Sequence, residues 1–447
     1  MSMSEPKIAV IGTGYVGAIT STCFAWLGGV EVWGLDTDPG RAGQLAMGQV
    51  PFYEPGLPEF LAETIATGRL TFTVSPHEAL TDADVVFLCV GTPSGADGNP
   101  DLSQVESAAR TLAPFLRDGT VVVNKSTVPV GSGNWVRTLL EDSLPRADRP
   151  AFQVVSNPEF LREGTAIDDF LFPDRVVLGG DESGLRRVAE LYRPILEQAF
   201  EGGRPERLPE LITTGLTSAE MTKYAANAFL AMKISFANEI AGLCELVGAD
   251  AREVLPAIGA DRRVGRPFLS PGLGWGGSCF GKDVSALVAT GLEYGYTSGL
   301  LSATVEVNLA QRAAVIRRLQ RELRVLKGRR IAVLGLAFKP GTDDLRDAPA
   351  LDIIRRLLAA GAGVAAYDPV VKTLPPDLSA VRLAADVAEA ADQADAVLLA
   401  TEWPEFQDVD PSAVAAAMKG DLVLDGRNVL DPHAWASAGL RVVGVGW

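Results

Sequence analysis

Short apolar runs alternate with helical stretches at the start of the chain. Lys7 to Ile11 has the pattern of a buried strand, and the glycine-rich turn Gly12 to Gly17 follows it. Ala18 to Leu27 then has helical periodicity, and a second strand pattern, Val30 to Leu35, ends at Asp36. Strand, turn, helix, strand and acid in this order predict the first half of a doubly wound α/β domain.

Two further apolar runs extend the predicted sheet. Asp84 to Val90 and Thr120 to Asn124 are nearly continuous apolar stretches, as expected for strands buried on both faces of a parallel sheet. Ligands of such sheets bind beyond the carboxyl ends of the strands. We therefore expect the loops that follow, Gly91 to Pro93 and Lys125 to Thr127, to line a bound cofactor.

The C-terminal third repeats this order of elements. Arg330 to Gly335 matches the first strand, Asp368 takes the place of Asp36, and the runs Asp395 to Ala400 and Asp421 to Gly426 complete a second sheet. The first loop of the repeat lacks the glycine pattern. We expect it to hold a different phosphate ligand rather than a second dinucleotide.

A long helical segment separates the two repeats. Thr217 to Leu246 contains no proline and one glycine, and Leu300 to Leu326 is a second helical stretch. The predicted fold class is α/β, with two doubly wound Rossmann-like domains joined by a long central helical segment. We expect domains at residues 1–205, 206–326 and 327–447. The long helices offer a surface for a homodimer; the alternative is a monomer whose helices pack only internally.

Composition and charge narrow the range of partners. The 447 residues carry a formal net charge of −16, which disfavours nucleic acid and anionic membranes because the protein's field repels phosphate. The first residues form no apolar signal segment, and no stretch approaches the ~20 apolar residues of a bilayer crossing, so we expect a cytoplasmic protein. The four cysteines lie far apart, which indicates reduced thiols and no bound metal.

The first glycine turn is the main indication of a cofactor. Its glycines let the backbone approach a pyrophosphate, the helix N-terminus faces the phosphate charge, and Asp36 can bind the adenosine ribose. Asp36 also favours NAD over NADP, because a 2′-phosphate would meet its negative charge. The alternative is a glycine turn that only packs a helix on a sheet.

One cysteine lies in a reactive setting. Cys279 follows two glycines and a serine, with Lys282 three residues on, and this placement suits attack on a carbonyl. Together with the dinucleotide turn it suggests an oxidation that passes through a covalent thioester. Because the chain has two histidines, acid–base work falls to Lys, Glu, Asp or water.

The central helix supplies a second group of candidates. Lys223 and Asn227 lie four residues apart and so share a helix face. If this face meets Cys279 and Asp283, an amine and an amide would lie where oxyanion charge develops. The alternative for Lys223 is an ordinary solvated lysine.

A third group follows the predicted strand Phe152 to Val155. In the segment Ser156 to Gly164, the carboxylates of Glu159 and Glu163 could position water or polar ligand groups. Alternatively the segment starts a helix, and the two carboxylates complement its dipole. The sequence alone leaves both interpretations open.

Eight motifs connect the chain with one family. From end to end the sequence resembles the UDP-glucose 6-dehydrogenase group of the UDP-glucose/GDP-mannose dehydrogenase family of nucleotide-sugar dehydrogenases. The motifs are GTGYVG at Gly12, YEPGL at Tyr53, STVPVG at Ser126, SNPEFLREG at Ser156, KYAANAFLA at Lys223, GWGGSCFGKD at Gly274, FKPGTDDLR at Phe338 and DGRN at Asp425.

The resemblance implies a reaction. UDP-glucose would be the substrate, and its primary alcohol would be oxidised to the carboxylate of UDP-glucuronate, a four-electron change that uses two NAD in succession. Cys279 matches the thiol that captures the intermediate aldehyde as a thiohemiacetal. Oxidation of this adduct gives a thioester, and water releases the acid.

The resemblance also implies roles for other residues. Lys223, Asn227 and Asp283 match residues that handle the oxyanion and a bound water, Glu159 matches the general base of the hydrolysis, and Thr127 helps to hold the water. The matching NAD positions are Gly12, Gly14, Tyr15, Val16, Gly17, Asp36, Arg41, Thr92, Thr127, Glu163, Lys282 and Arg346. The matching sugar-nucleotide positions are Glu159, Phe160, Leu161, Arg162, Glu163, Lys223, Asn227, Arg263, Phe268, Leu269, Ser270, Pro271, Gly272, Gly276, Phe338, Lys339 and Arg427.

Two departures from the family pattern bear on the substrate. Trp275 replaces the Tyr or Phe common before the double glycine, and Ser270 stands where some relatives carry Lys or Asn. One alternative function is oxidation of another sugar nucleotide, such as GDP-mannose or UDP-N-acetylmannosamine. The other is a catalytically silent nucleotide-binding regulatory protein, which predicts loss of reactive residues that this chain retains.

Overall fold

The computed structural model describes residues 5–93, 95 and 100–447. The chain divides into two compact units, one ending at Ala225 and the other beginning at Ala226. The division falls within one long helix, Leu216–Val247. Two α/β units and a long central helix confirm the predicted fold class.

Strands and helices alternate through the first unit. In chain order the elements are β1 (Lys7–Ile11), α1 (Tyr15–Leu27), β2 (Glu31–Leu35), α2 (Pro39–Ala46), α3 (Leu57–Ala66), β3 (Leu70–Thr73), α4 (Pro76–Leu80), β4 (Val85–Leu88), α5 (Ser103–Leu112), β5 (Val121–Asn124), α6 (Ser132–Asp142), β6 (Gln153–Ser156), α7 (Ala166–Leu171), β7 (Arg175–Gly180), α8 (Glu182–Leu196), β8 (Glu210–Thr214) and α9 (Leu216–Val247), which continues into the second unit.

The first sheet has the strand order β3-β2-β1-β4-β5-β6-β7-β8. The order reverses between β1 and β4, the kind of switch point at which doubly wound sheets bind ligands. Strands β1, β2, β4, β5 and β6 pair in parallel, as predicted, whereas β6 and the additional strand β7 pair antiparallel. Strands β3, β7 and β8 were not predicted, and β8 is a largely exposed edge strand without a long apolar run.

Helices cover both faces of this sheet. Ile8 and Val10 of β1 pack in one apolar cluster with α1, α7 and α8, whereas Ala9 and Ile11 pack in another with α4, α5 and α6. Successive strand side chains point to opposite faces, so the two clusters lie on opposite sides of the sheet. This packing leaves the carboxyl ends of β1, β4 and β5 to the polar loops.

The second unit begins within α9 and ends in the second sheet. Its elements are α10 (Ala251–Gly259), α11 (Phe280–Glu293), α12 (Gly299–Leu323), β9 (Arg330–Leu334), α13 (Pro349–Ala359), β10 (Gly363–Tyr367), β11 (Arg382–Leu383), α14 (Val387–Ala391), β12 (Ala396–Leu399), α15 (Pro404–Gln407), α16 (Pro411–Ala417), β13 (Leu422–Asp425), α17 (Pro432–Ser437) and β14 (Arg441–Val443).

The second sheet has the order β11-β10-β9-β12-β13-β14, and its strands pair in parallel. The order around β9 matches the order around β1, as the sequence repeat predicted. Helix α12 ends at Leu323 rather than at the predicted Leu326, because Arg324 adopts a left-handed conformation with a φ of 66° that ends helical hydrogen bonding.

Candidate functional site

The glycine turn after β1 has the backbone of a phosphate-binding loop. Gly12 has a φ of 88°, and a Cβ on Gly17 would lie 1.8 Å from the Gly12 carbonyl oxygen. Gly17 lets the first turn of α1 pack on the loop, so α1 begins at Tyr15 rather than at the predicted Ala18. A Cβ on Gly14 would meet no atom of the described residues within 4 Å. The turn therefore has room for a pyrophosphate at the N-terminus of α1.

Asp36 lies beside this turn at the carboxyl end of β2. Its Oδ2 accepts hydrogen bonds from Thr13 N at 2.8 Å and Thr13 Oγ1 at 2.9 Å, and Arg41 Nη1 lies 3.1 Å away. Burial raises the pKa of Asp36, but hydrogen bonds from Asp38, Thr13 and Arg41 outweigh burial and hold this pKa below its ordinary value. Asp36 is therefore a fixed, ionised acceptor, as ribose binding requires.

Tyr15 connects the glycine turn to the segment that contains Glu159. The Tyr15 hydroxyl donates to Glu54 Oε2 at 2.5 Å, and Glu54 also accepts the backbone N–H groups of Gly164 at 2.6 Å and Ala166 at 2.8 Å. Burial and the Glu54 carboxylate both raise the pKa of the Tyr15 hydroxyl. Glu54 was not among the predicted site residues, although its place inside the YEPGL motif was an available signal. Val16 lies in the same helical turn as Tyr15.

The two loops expected to line the cofactor contact each other. Thr92 Oγ1 donates to the Thr127 carbonyl oxygen at 2.7 Å, which joins the loop after β4 to the loop after β5. A small pocket lies beside Thr127. It is lined by Asn124, Ser126, Thr127, Val128, Ser156, Pro158, Glu220, Lys223 and Tyr224.

Lys223 is buried, so its interpretation as a solvated lysine is wrong. Its Nζ lies 3.0 Å from Glu159 Oε1, and the two side chains are only 5% and 7% exposed. The ammonium also lies 5.4 Å from the centroid of the Phe160 ring, and Leu161 N–H donates to Glu159 Oε2 at 2.7 Å. Opposite charges are therefore held together away from water, beside residues expected to contact the sugar nucleotide.

The segment around Glu159 does not start a helix. Residues 157–162 have no regular secondary structure, and the next helix begins at Ala166. The helix-dipole interpretation of Glu159 and Glu163 is therefore wrong. An irregular chain at the end of β6 instead allows Glu159 to meet Lys223.

The pKa of Glu159 reflects two opposing effects. Burial raises it, but the Lys223 charge and hydrogen bond, the Leu161 N–H and the Lys125 charge outweigh burial and hold this pKa below its ordinary value. Glu159 is thus a buried carboxylate that stays ionised at neutral pH. Such a group can accept a proton from a water molecule.

Cys279 is the N-cap residue of α11. It is partly exposed, whereas the other cysteines of the chain, Cys23, Cys89 and Cys244, are buried. A thiol at the start of a helix lies near the positive end of the helix dipole. Cys279 is therefore the thiol that a substrate can reach.

Asp283 lies on α11 one turn after Cys279, and it contacts two other predicted site residues, Asn227 and Lys282. Its side chain is fully buried, and its Oδ2 accepts from Asn227 Nδ2 on α9 at 2.6 Å. Its Oδ1 accepts from Lys282 Nζ at 2.9 Å. The carboxylate fixes the orientation of the Asn227 amide, whose carbonyl oxygen is then directed away from Asp283. Lys282, expected to contact NAD, is held at the same place.

The predicted substrate loop, Phe268 to Gly272, is held by two long helices. Gly272 N–H donates to Asn238 Oδ1 on α9 at 2.7 Å, and its carbonyl oxygen accepts from Gln311 Nε2 on α12 at 2.7 Å. Phe268 has a φ of 64°, an uncommon conformation for a bulky residue. The loop conformation is thus imposed by its helical neighbours.

The two departures from the family pattern lie in different surroundings. Ser270 is exposed, between the buried Leu269 and Pro271. Trp275 is buried, and its Nε1–H donates to Ser235 Oγ on α9 at 3.0 Å. Trp275 is therefore part of the helix packing, whereas Ser270 faces solvent.

The first loop of the second sheet, which carries Phe338 and Lys339, differs from the glycine turn. Asp368 at the end of β10 accepts from Leu336 N at 2.8 Å and from Trp403 Nε1 at 3.1 Å. The carboxylate that would bind a ribose is thus engaged by an indole. This arrangement agrees with the expectation that the loop does not bind a second dinucleotide.

Arg427 follows β13 and lies next to the predicted substrate loop. A Cβ on Gly272 would lie 3.3 Å from Arg427 Nη1. The arginine is held by the Ala400 carbonyl oxygen, to which Nε donates at 2.8 Å, and by Glu402 at 3.1 Å. Two predicted substrate positions are therefore neighbours in the second unit.

Three predicted arginines lie at the surface instead, each paired with an acid close in sequence. Exposed pairs of this kind contribute little to stability, so a phosphate can replace the acid at small cost. The pairs are Arg162 with Asp169, Arg263 with Asp261 and Arg346 with Asp344. The arginine side chains of these pairs are 61%, 84% and 67% exposed, respectively.

Two buried charged residues of the first unit were not among the predicted site residues, although Lys125 belongs to a loop expected to line the cofactor. Lys125 Nζ donates to Asn157 Oδ1 and to the Tyr192 hydroxyl, both at 3.1 Å. Glu220 on α9 accepts the Gly131 N–H at 2.6 Å, and burial raises its pKa despite this hydrogen bond and others. A lysine directly after an apolar strand was the available signal for Lys125.

Neither a metal-binding cluster nor a helix that could span a bilayer is present in the described ranges. Residues 5–93, 95 and 100–447 contain no group of three or more His, Cys, Asp or Glu side chains that could hold a metal ion. Over the same residues, no helix is both long enough and apolar enough to span a bilayer.

A doubly wound domain with an open glycine turn and a fixed acid after β2 defines a dinucleotide-binding protein, and a reachable thiol at a helix start indicates an oxidoreductase. Comparison with known families agrees. Residues 6–196 match the NAD binding domain of the UDP-glucose/GDP-mannose dehydrogenase family, residues 217–310 match its central domain, and residues 332–432 match its UDP binding domain. The chain belongs to this family.

Individual relatives cover the whole chain. A UDP-glucose 6-dehydrogenase of Rhizobium meliloti (strain 1021) is 45% identical over 98% of this chain and 99% of its own length. A solved UDP-glucose dehydrogenase from Pyrobaculum islandicum is 36% identical with a TM-score of 0.88, covering 100% of this chain and 99% of that chain. A solved UDP-D-ManNAc dehydrogenase from Pyrococcus horikoshii is 29% identical with a TM-score of 0.85, covering 98% and 99%.

Proposed function

We propose that this protein oxidises UDP-glucose to UDP-glucuronate with NAD. The observation that carries the proposal is the partly exposed Cys279 at the start of α11, in a chain whose other thiols are buried. An alcohol dehydrogenase that stops at the aldehyde needs no such thiol. A four-electron oxidation can use one, because a thiohemiacetal presents the aldehyde carbon for a second oxidation and gives an acyl group that water can release.

The chemistry follows from side chains of the chain. NAD, when bound, supplies the oxidising capacity for both oxidation steps. Cys279 Sγ adds to the aldehyde carbon and the thiol proton passes to the aldehyde oxygen, which gives a thiohemiacetal. Oxidation of this adduct gives a thioester. Glu159 takes a proton from the attacking water, and the Cys279 thiolate leaves as the carboxylate forms. Lys223 Nζ and the second N–H of the Asn227 amide, whose other N–H donates to Asp283, stabilise the oxyanion of these steps.

The residues of the first unit fit NAD. The glycine turn would hold the pyrophosphate, Asp36 the ribose, and Arg41, Thr92, Thr127 and Glu163 the surrounding groups. Tyr15 and Val16 begin the helix that faces the phosphates. Lys282 and Arg346 of the second unit are proposed as further NAD contacts on the family resemblance alone.

Asp36→Asn is expected to weaken NAD binding by about 10- to 100-fold, because the variant loses a charged hydrogen-bond acceptor. Binding of NADP should weaken less, because the charge that repels its 2′-phosphate is removed. The measurement is the ratio of kcat/KM for NAD and NADP. Asp38→Asn, an exposed carboxylate two residues away, is the matched control and should keep the wild-type ratio. Equal losses for both cofactors in Asp36→Asn would contradict the assignment.

UDP-glucose is preferred over other sugar nucleotides. Full-length relatives named UDP-glucose dehydrogenases are 45% and 36% identical, against 29% for the UDP-D-ManNAc dehydrogenase. Residues proposed to bind the sugar nucleotide are Phe160, Leu161, Arg162 and Arg263, the loop Phe268 to Gly272, Gly276, Phe338, Lys339 and Arg427, besides the catalytic groups. NADH formation with UDP-glucose, GDP-mannose and UDP-N-acetylmannosamine tests the preference, and a higher kcat/KM for either of the last two would overturn it.

The division of labour along the chain is part of this proposal. Residues 1–205 bind NAD, residues 206–326 form a helical segment with the active-site helices, and residues 327–447 bind UDP. The three matched family segments, 6–196, 217–310 and 332–432, support this division. Four cysteines without a disulfide fit a reducing compartment, so we place the enzyme in the cytoplasm.

We propose that α9 forms a homodimer interface. Phe229, Phe236 and Leu243 are spaced by seven residues and are 58%, 46% and 51% exposed, so they form one apolar stripe on α9. A stripe of large apolar side chains of this kind marks a contact surface.

Phe236→Glu is expected to convert the dimer to a monomer, because it places a charge inside the apolar stripe. Light scattering after size-exclusion chromatography gives the mass. Leu208→Glu changes a leucine that is 58% exposed outside α9, and this control should stay dimeric. A Phe236→Glu variant that remains a dimer would remove α9 from the interface.

A further inference from the structure

The backbone of Trp275, four residues before Cys279, is clamped by helix α12. Asn308 Oδ1 accepts the Trp275 N–H at 2.8 Å, and Asn308 Nδ2 donates to the Trp275 carbonyl oxygen at 3.0 Å. Arg312, one turn further along α12, donates from Nη2 to the same carbonyl oxygen at 2.8 Å. Both backbone polar groups of Trp275 are therefore held, which fixes the two peptide units that flank it in the cysteine loop, Gly274 to Cys279.

Arg312 also holds a turn of the second α/β domain. Its Nη1 donates to Asp347 Oδ1 at 2.7 Å, and its Nη2 donates to the Asp347 carbonyl oxygen at 3.2 Å. The Arg312 side chain is only 5% exposed, and Asp347 has a left-handed φ of 48°. A single buried guanidinium thus joins the cysteine loop to the turn that follows Phe338 and Lys339.

The two segments also touch directly at the double glycine. A Cβ on Gly276 would lie 2.3 Å from the Asp347 carbonyl oxygen, and a Cβ on Gly277 would lie 2.8 Å from the Phe338 ring. Gly277 N–H donates to the Arg346 carbonyl oxygen at 3.0 Å. The cysteine loop therefore rests on the turn that Arg312 fixes, and a shift of that turn would displace the loop.

We infer that Arg312 is a positioning residue for Cys279, and that it links the geometry of the thiol to the segment containing Phe338 and Lys339. The inference rests on the proposed function in assigning Cys279 as the nucleophile. Arg312 does not touch the thiol; it acts through Trp275 and Asp347. A planar guanidinium suits this role because it can reach Asp347 Oδ1, the Asp347 carbonyl oxygen and the Trp275 carbonyl oxygen at once, which a lysine ammonium cannot.

The test replaces Arg312 and follows the four cysteines separately. Arg312→Met removes the link, Arg312→Lys keeps only the charge, and Arg318→Met is the matched control. Arg318 lies on the same helix, is 13% exposed and pairs with Glu245 at 2.7 Å, away from the cysteine loop. Iodoacetamide labelling is quantified for each cysteine by mass spectrometry, and kcat is measured with UDP-glucose and NAD.

In Arg312→Met we expect kcat to fall about 100-fold, the effect of displacing a reacting group by about 1 Å. Labelling of Cys279 should rise severalfold because the loop is released, while Cys23, Cys89 and Cys244 stay as slow as in the wild type. Arg312→Lys should lie between wild type and Arg312→Met, and Arg318→Met should match wild type in both readouts.

Other outcomes overturn the inference. Wild-type labelling of Cys279 together with wild-type kcat in Arg312→Met would show that the link does not position the thiol. Faster labelling of all four cysteines, or the same changes in Arg318→Met, would show a general loss of stability. Labelling does not require turnover, so a wild-type protein that is inactive on UDP-glucose would refute the proposed function and leave this test in place.

Discussion

Cys279→Ser is expected to lower the turnover of UDP-glucose by at least about 10⁴-fold, as removal of a catalytic nucleophile does in other enzymes. A serine hydroxyl at the start of α11 is far less ionised than a thiol and is a poor leaving group from an ester. Formation of the aldehyde adduct and hydrolysis of the ester that follows both become slow. The measurement is steady-state NADH formation, followed by mass spectrometry of the intact protein for trapped sugar.

The matched control for this variant is another thiol. Cys244 lies on α9, is buried and packs with Ala241 and Leu255, so Cys244→Ala should keep near wild-type kcat. NAD binding by Cys279→Ser should also be unchanged. A Cys279→Ser protein that forms UDP-glucuronate at the wild-type rate would remove the thioester from the mechanism.

Lys223→Met is expected to reduce both activity and stability. Loss of the ammonium leaves Glu159 as an unpaired charge in a buried position, which costs about 3–5 kcal/mol of unfolding free energy. Loss of a group that stabilises an oxyanion costs about 10²–10³-fold in kcat. Denaturant unfolding and steady-state kinetics measure the two effects.

The double variant Lys223→Met with Glu159→Gln separates these effects. Without the unpaired carboxylate, most of the lost stability should return, but activity should not, because the proposed general base is also gone. Recovery of activity in the double variant would show that the pair is structural and not catalytic.

The pH dependence of stability gives an independent check on the pair. The pKa of Glu159 is lowered in the folded protein, so the ionised pair stabilises the fold above the ordinary glutamate pKa of about 4.3. This stabilisation is lost as the pH falls through the lowered pKa. The free-energy difference between wild type and Lys223→Met should therefore shrink from neutral to acid pH, and a constant difference would contradict the pairing.

The apolar pattern predicted most of the strands that are buried on two faces, but not β7, whose apolar run is only three residues long and ends at two glycines. Lys7–Ile11 matches its prediction, and the run at 120–124 became Val121–Asn124. In these strands nearly every residue is apolar, so the pattern is easy to recognise in the sequence. Strand β8 has exposed positions and gains stability from pairing with β7, and this long-range contact leaves no local pattern.

The candidate site was predictable in part for a similar reason. Helical spacing places Lys223 and Asn227 on one face, and the face proved to be buried. Helical spacing does not identify the residue that this face contacts. The contact between Lys223 and Glu159, and the choice between the alternatives stated for these two residues, could be established only from the structure. The links from Asn308 and Arg312 go mainly to backbone atoms of Trp275 and Asp347, and backbone acceptors exist at every position.

The most direct test of the account is the number of NADH molecules formed for each UDP-glucose consumed, with the sugar nucleotide limiting and NAD in excess. An alcohol becomes a carboxylate by loss of four electrons, and each NAD accepts two. The account predicts two NADH per UDP-glucose, with UDP-glucuronate as the product. One NADH with release of an aldehyde, or no NADH at all, would contradict it.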